Sequence, residues 1–280
     1  GRRQRQMCIR DRVATALAAA ASLGARTTML DRFGDDWRSR LILGELQELG
    51  VDTSAAPTQP GAAASLATVL VRADDGARAI RFVRSTAAPL CSEDIDRDQL
   101  LSHRIVHCNG RHPEACLAAA EICKTSCGAT SLAFDGGAGR YREDLLPLMR
   151  EADLPIVAHQ FATAATGEVD VGAAAGRLAE LCTRASLIGI SDGARGRWVV
   201  PRDGKDVHQP AFSVDPVVDA PGGGDAALGA FVFALVSGWS YERAAETASA
   251  AGAINAGKLG GRGGLPTTDG LAAMIGGSPC

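Results

Sequence analysis

Aromatic residues make up only 4% of this 280-residue chain. No stretch approaches the roughly 18–20 consecutive apolar residues that a membrane-spanning helix needs. An excess of positive charge is missing too: 29 Lys and Arg against 32 Asp and Glu leave a formal net charge of −3. The footprint of a nucleic-acid-binding surface is therefore absent. The eight cysteines include no paired CxxC units, which speaks against a zinc site, and their spacing in so long a chain does not suit a small secreted disulfide scaffold. They read as reduced thiols, as expected in the cytoplasm. Cys116, Cys123 and Cys127 fall at i, i+7 and i+11, the spacing of small residues on one buried helix face. A GxxxxGK[ST] phosphate loop is also lacking.

What the chain has in quantity is small residues, 51 Ala and 33 Gly, which favour closely packed helices and tight backbone passages. A hydrophobic share of 46% and a charged share of 22% are those of an ordinary globular protein. Residues 1–12, GRRQRQMCIRDR, show no hydrophobic period and look like a non-native leader, with native sequence starting near Val13. The basic start followed by small apolar residues resembles a secretory signal. Asp11 argues against that, as does the helical face formed by Val13, Leu17, Ala20, Ala21 and Leu23 and closed by Gly24.

A short strand is expected over 26–34 and an amphipathic helix over 35–50. Two β-rich runs, 65–71 and 78–84, flank the turn Asp74-Asp75-Gly76 and predict a hairpin or a small sheet. From Arg104 onward strands and helices alternate, which implies a parallel sheet within one α/β domain carrying a small β appendage.

The most informative segment is VVDAPGGGDAALGAF, where three glycines precede an acid at the head of an Ala-rich helix. Backbone N–H groups of Gly222, Gly223 and Gly224 can converge there on an anion, because helix N-termini present unsatisfied donors and the positive end of the macrodipole. A carboxylate at Asp225 would repel a bound phosphate, yet it suits a base that takes the proton of an incoming alcohol during phosphoryl transfer. A flexible turn with Asp225 as a helix cap is the bland alternative.

DAPGGGD followed by AALGAF resembles the C-terminal signature of the ribokinase-like (PfkB) carbohydrate kinases. LGARTTMLDRFGDDWRSRLILGELQELGVDTS, ISDGARG and GRGGLPT resemble further segments of that family in the right order, from about Val13 to the C-terminus. The resemblance implies a ribokinase-like three-layer α/β sandwich, with a mainly parallel central sheet over 13–280 and a small β lid at about 60–85. It implies transfer of the γ-phosphate of MgATP to a sugar hydroxyl, with Asp225 as base and Gly222 to Gly224 as anion hole. Ser191 and Gly193 would line the nucleotide, with Gly252 and Asn255 as weaker candidates, and Asp219 with the neighbourhood of Gly261 to Gly263 would match a K⁺ loop. The family's first strand, with its sugar-binding Asp, and its Gly-Gly and Asn element should lie upstream of Val13. Its N-x-x-E element, linked to Mg²⁺, reads HQFA at 159–162, without the acid.

HCNGRHPEA, FDGGAGR and GGRGGLP look closest to the branch of ketohexokinase-like and sulfofructose-kinase-like enzymes, which implies a keto-sugar or an acidic sugar derivative as substrate. Asn109 and Asp135 would end parallel strands, where open α/β sheets place ligands, and Arg140 would reach an anionic group. His103, His107 and His112 have no motif partner and read as structural or exposed. The expected partner is a small-molecule sugar, with no nucleic acid or membrane, and a homodimer through the lid matches the family's habit. A nucleotide or sugar binder without turnover, and a nucleoside kinase of the same family, stay open beside the sugar kinase.

Overall fold

The computed structural model describes residues 4–8, 12–71, 78–219 and 222–277, with the backbone alone at 4–8, 69–71 and 78–80. The chain opens with β1 (Gln4–Cys8), α1 (Arg12–Ser22), β2 (Thr27–Thr28), β3 (Phe33–Gly34) and α2 (Trp37–Glu48). Next come β4 (Val51–Asp52), β5 (Thr58–Gln59), β6 (Leu66–Val71), β7 (Arg78–Val83) and α3 (Arg97–Leu101). The alternating part runs β8 (Ile105–Cys108), α4 (Pro113–Lys124), β9 (Ser131–Gly136), α5 (Leu146–Glu151), β10 (Leu154–Ala158), α6 (His159–Thr166) and α7 (Val171–Leu181). It closes with β11 (Leu187–Ser191), β12 (Arg197–Pro201), β13 (Val207–Gln209), α8 (Gly223–Val236), α9 (Tyr241–Ala256) and α10 (Thr268–Ile275).

The main sheet has the order β13-β12-β11-β10-β9-β8, parallel from β8 to β11 and antiparallel from β11 through β13. β9, β10 and β11 are buried on both faces, as their near-continuous apolar sequences require. Phe134, Leu148, Phe161 and Leu178 belong to the core under α4 to α7. Leu187, Leu228 and Phe231 belong to the core under α8 and α9. The result is a three-layer α/β sandwich.

Small residues set the spacing of the helices. Gly229 on α8 faces the Ala16 carbonyl, and a Cβ there would lie 2.1 Å from that oxygen, so α1 crosses α8 almost backbone to backbone. Arg104, just before β8, donates to the Val236 carbonyl at 2.6 Å. That contact puts the C-terminus of α8 at the amino edge of the sheet, and hence its N-terminus at the carboxyl edge.

The expected strand over 26–34 is two short pieces, because only 27–28 and 33–34 find partners, β4 and β5. The hairpin forms from β6 and β7, and its turn Asp74-Asp75-Gly76 lies outside the described residues. No element was expected over 1–12, yet β1 pairs antiparallel with β6 and makes the small sheet three-stranded. The root of the small sheet is tied to α2 by Asp36, which caps the helix by accepting from the Ser39 N–H at 3.0 Å and reaches the Ala64 N–H at 3.2 Å. Burial pushes the Asp36 carboxyl up, but hydrogen bonds from Ser39, Arg38 and Ala64 outweigh it and hold the group below the usual carboxylate range. Ser39 is fully buried and joins this knot, its hydroxyl donating to Asp36 at 2.7 Å and accepting from the Gly34 N–H at 3.0 Å.

Candidate active site

Gly222 is the N-cap of α8 in a left-handed conformation, φ +87°, and a Cβ there would lie 2.2 Å from the Gly261 carbonyl oxygen. Glycine is required on both counts. Gly223 packs against α9, where a Cβ would stand 3.2 Å from the Gly252 carbonyl. Gly224 is exposed and has nothing within 4 Å of its Cβ position, so the approach to the helix terminus is open. Asp225 follows in the first turn of α8, half-buried. The cradle is thus bare backbone at the positive end of a fourteen-residue helix, and it fits a phosphate group.

The loop after α9 holds this cradle in place. Asn255 is completely buried, its amide donating to the Gly261 carbonyl at 3.1 Å while its side-chain oxygen accepts from the Gly264 N–H at 3.2 Å. Asp219 is buried as well and accepts from the Gly260 N–H at 3.0 Å, while the Val218 and Asp219 amides both donate to the Ala256 carbonyl. Gly252 directs its Cβ position at Gly223, 3.2 Å from the Gly223 carbonyl, so glycines on both sides let α8 and α9 meet closely.

Across the same carboxyl edge, Ser191 ends β11 and Gly193 begins a one-turn helix with φ +53° and open space at its Cβ position. His159 opens α6 beside them. Its Nε2 meets the Val169 carbonyl at 2.8 Å, its Nδ1 stands 3.1 Å from both Arg195 and Asp192 Oδ2, and Arg195 is ion-paired with Asp192. Ala162 is fully buried.

Asn109 and Asp135 lie at the carboxyl ends of β8 and β9. Asn109 accepts from the Arg111 N–H at 3.1 Å. Asp135 is buried, and its Oδ2 has no hydrogen-bond partner among the described residues; Arg12 approaches it at 3.7 Å. The Arg12 guanidinium occupies the space where a side chain at Gly137 would stand. Arg140 is exposed in the loop beyond.

Sequence reasoning missed Arg12, which it left in the leader, and the group around Asp31. Asp31 is 3% exposed, with His112 Nε2 at 2.7 Å and Arg111 Nη1 at 3.4 Å. The Leu90 amide donates to His112 Nδ1 at 3.2 Å, so Nε2 carries the proton given to Asp31. Three segments distant in sequence meet here, and no local spacing signals it. His103 is likewise structural, bonded to Thr28 Oγ1 at 3.0 Å. Asn109, Arg111 and His112 line a cavity of about 220 Å³ between α1, β8 and α8.

A three-layer α/β sandwich with an open, glycine-built anion cradle on the carboxyl edge of its sheet defines a class of phosphate-handling proteins. Residues 14–268 match the pfkB family carbohydrate kinase model, and the chain belongs to that family of phosphotransferases. It is 28% identical over 263 residues to the ATP-dependent ribose-1-phosphate kinase of Halopiger xanaduensis, covering 94% of this chain and 84% of that protein. It is also 28% identical over 275 residues to fructokinase-1 of Oryza sativa, covering 89% and 82%. Among solved structures, Arabidopsis thaliana ribokinase complexed with ribose and ATP superposes with a TM-score of 0.83 at 19% identity, covering 95% of this chain and 87% of that one. The Vibrio cholerae fructokinase bound to fructose, ADP and calcium gives 0.80 at 20%, covering 95% and 91%.

Proposed function

We propose that this carbohydrate kinase transfers the γ-phosphate of MgATP to a hydroxyl of a keto-sugar or an acidic sugar derivative. The observation that carries the proposal is the pairing, on one sheet edge, of the open Gly222 to Gly224 cradle and Asp225 with the buried, unsatisfied Asp135 Oδ2. Such an oxygen suits a sugar hydroxyl, which would supply its missing donor. The similarity to a fructokinase and to a ribose-1-phosphate kinase supports a keto-sugar on one side and an acidic derivative on the other.

In this scheme Asn109 and Asp135 orient the sugar, and Arg140 faces an anionic substituent. Asp225 takes the proton of the attacking hydroxyl. The amides of Gly222, Gly223 and Gly224 hold the charge that develops on the moving phosphate, at no cost in reorganisation because Asn255 and Asp219 have already fixed the loop behind them. Ser191 and Gly193 border the nucleotide, with Gly252 and Asn255 behind it. Mg²⁺, when bound, neutralises phosphate charge. Among the described residues no cluster of three His, Cys, Asp or Glu side chains is placed to hold a metal, which agrees with a metal carried in by the nucleotide. A K⁺ ion at Asp219 and the Gly261 to Gly263 carbonyls belongs to the same proposal, as does a homodimer through the lid, whose Phe82 and Val83 are exposed.

The test is sugar-dependent ADP formation over ketohexoses, their phosphates and sulfonates, and nucleosides. Asp225→Asn is expected to lower kcat about 10²- to 10⁴-fold with ATP affinity nearly intact. Full turnover in that variant would refute the base, preference for a nucleoside would redirect the substrate class, and ATP binding without any turnover would favour a binding protein.

A further inference from the structure

Arg197 opens β12 with its positive charge closed into the protein. The residue is 9% exposed, its Nε is wholly buried, and among the described residues its guanidinium has neither a hydrogen bond nor an ion pair. It rests against the ring of Phe231 on α8, with 5.9 Å from Cζ to the ring centroid. Such a contact returns only a fraction of what burying an ion costs. Burial lowers the group to about 10, and no neighbouring charge offsets it. The carboxylate of Asp192, just past the end of β11, is already committed to Arg195 and His159.

The sheet register places this group. Arg197 pairs with Ser191 at the carboxyl end of β11 and with Gln209 on β13. The three side chains therefore form a row on one face of the sheet, with paired Cα atoms about 5 Å apart. Leu187 and Val199 share that face by the alternation of their strands, and both belong to the core under α8 and α9. The row thus lies at the carboxyl edge, between the sheet and the helix whose N-terminus carries the Gly222 to Gly224 cradle. Phe231 follows Gly223 by about 12 Å along the helix axis, so Arg197 is set back from the cradle.

We propose that Arg197 is a phosphate anchor for the nucleotide: its guanidinium fork takes a phosphate group that is not transferred, while the cradle holds the one that is. The planar fork suits phosphate, and a bound phosphate supplies both the acceptor that Nε lacks and the opposite charge that the fold leaves out. An unpaired buried charge lowers the stability of the empty protein, and binding relieves it. The anchor rests on the proposed nucleotide path along Ser191 and Gly193.

The experiment measures thermal unfolding of the empty protein and calorimetric binding of ATP, ADP, adenosine and tripolyphosphate, for the whole protein and its Arg197→Met and Arg197→Lys variants. Arg197→Met should raise the Tm of the empty protein by about 2–4 °C, because an apolar chain fills the site without a buried charge. It should weaken ATP, ADP and tripolyphosphate about 10- to 100-fold each and leave adenosine unchanged. Arg197→Lys keeps the charge without the fork and should recover part of that loss. A lower Tm of empty Arg197→Met with parental affinities would mark a structural arginine and overturn the anchor, as would adenosine binding that falls in parallel with ATP. A loss confined to ATP would put Arg197 on the transferred phosphate and overturn the assignment. Binding of nucleotide and tripolyphosphate that depends on Arg197, without sugar turnover, counts against the proposed function and not against the anchor. Sugar turnover in Arg197→Met with an unchanged KM for ATP counts against the anchor alone.

Discussion

Replacing Gly224 by Ala should make the protein more stable and a worse binder of ATP at once. Gly224 is helical, exposed and free of any atom within 4 Å of its Cβ position, so the new methyl meets no protein. Removing a glycine's unfolded-state freedom at such a site stabilises by about 0.5–1 kcal/mol, which raises Tm by roughly 1–4 °C in a domain of this size. The same methyl stands over the anion cradle. Losing one charge-assisted bond from backbone to phosphate costs about 1.5–3 kcal/mol, or roughly 10- to 100-fold in ATP affinity. Gly222→Ala is the contrasting control: its φ of +87° costs about 1–2 kcal/mol for a residue with a side chain. Its Cβ also meets the Gly261 oxygen at 2.2 Å, so stability and ATP binding fall together. Thermal unfolding and calorimetric titration with ATP analogues measure both quantities. A Gly224→Ala protein that melts earlier than the parent, or binds ATP equally well, would refute the placement of the cradle.

Asn255→Ala removes both hydrogen bonds that hold the loop 261–264 and leaves a carbonyl and an amide unsatisfied, so urea unfolding should show a loss of about 2–4 kcal/mol, with a raised KM for ATP. A change under 0.5 kcal/mol would remove the clamp from the account. Stability should also fall on the alkaline side. Cys123 and Cys182 have folded values raised from 9.0 to about 11, so their contribution is complete below about pH 9 and is lost as the pH climbs through 11. At most about 3 kcal/mol per thiol is involved, and Cys182→Ala should flatten that part of the curve in denaturant titrations at pH 8 to 10.5.

The alternating half of the chain was legible because buried parallel strands announce themselves as apolar runs, such as LPIVA and LIGIS, between helices with capping residues. The open glycine turn at the head of α8 was legible for a similar reason, since three glycines before an acid mark a helix start that no side chain covers. What Gly222 and Gly223 are packed against was not legible, because Gly261 and Gly252 approach them from another part of the chain. Asn255 was read as a weaker candidate for the nucleotide, and that it is buried and holds the returning loop could not be seen in a helix of alanines. Arg12 and the Asp31–His112 pair escaped because their meaning lies in contacts over more than 80 residues of sequence, where no periodicity operates.

Among the described residues the strand order of the main sheet stops at β8, a four-residue strand reading IVHC beside an apolar hollow. Natural sheet margins are usually guarded by lysine, proline or a bulge, and β8 carries none of these. Its backbone is therefore adhesive toward any extended apolar segment, including those of unfolded copies of the same chain. A fall in refolding yield with rising protein concentration is the expected signature of that margin.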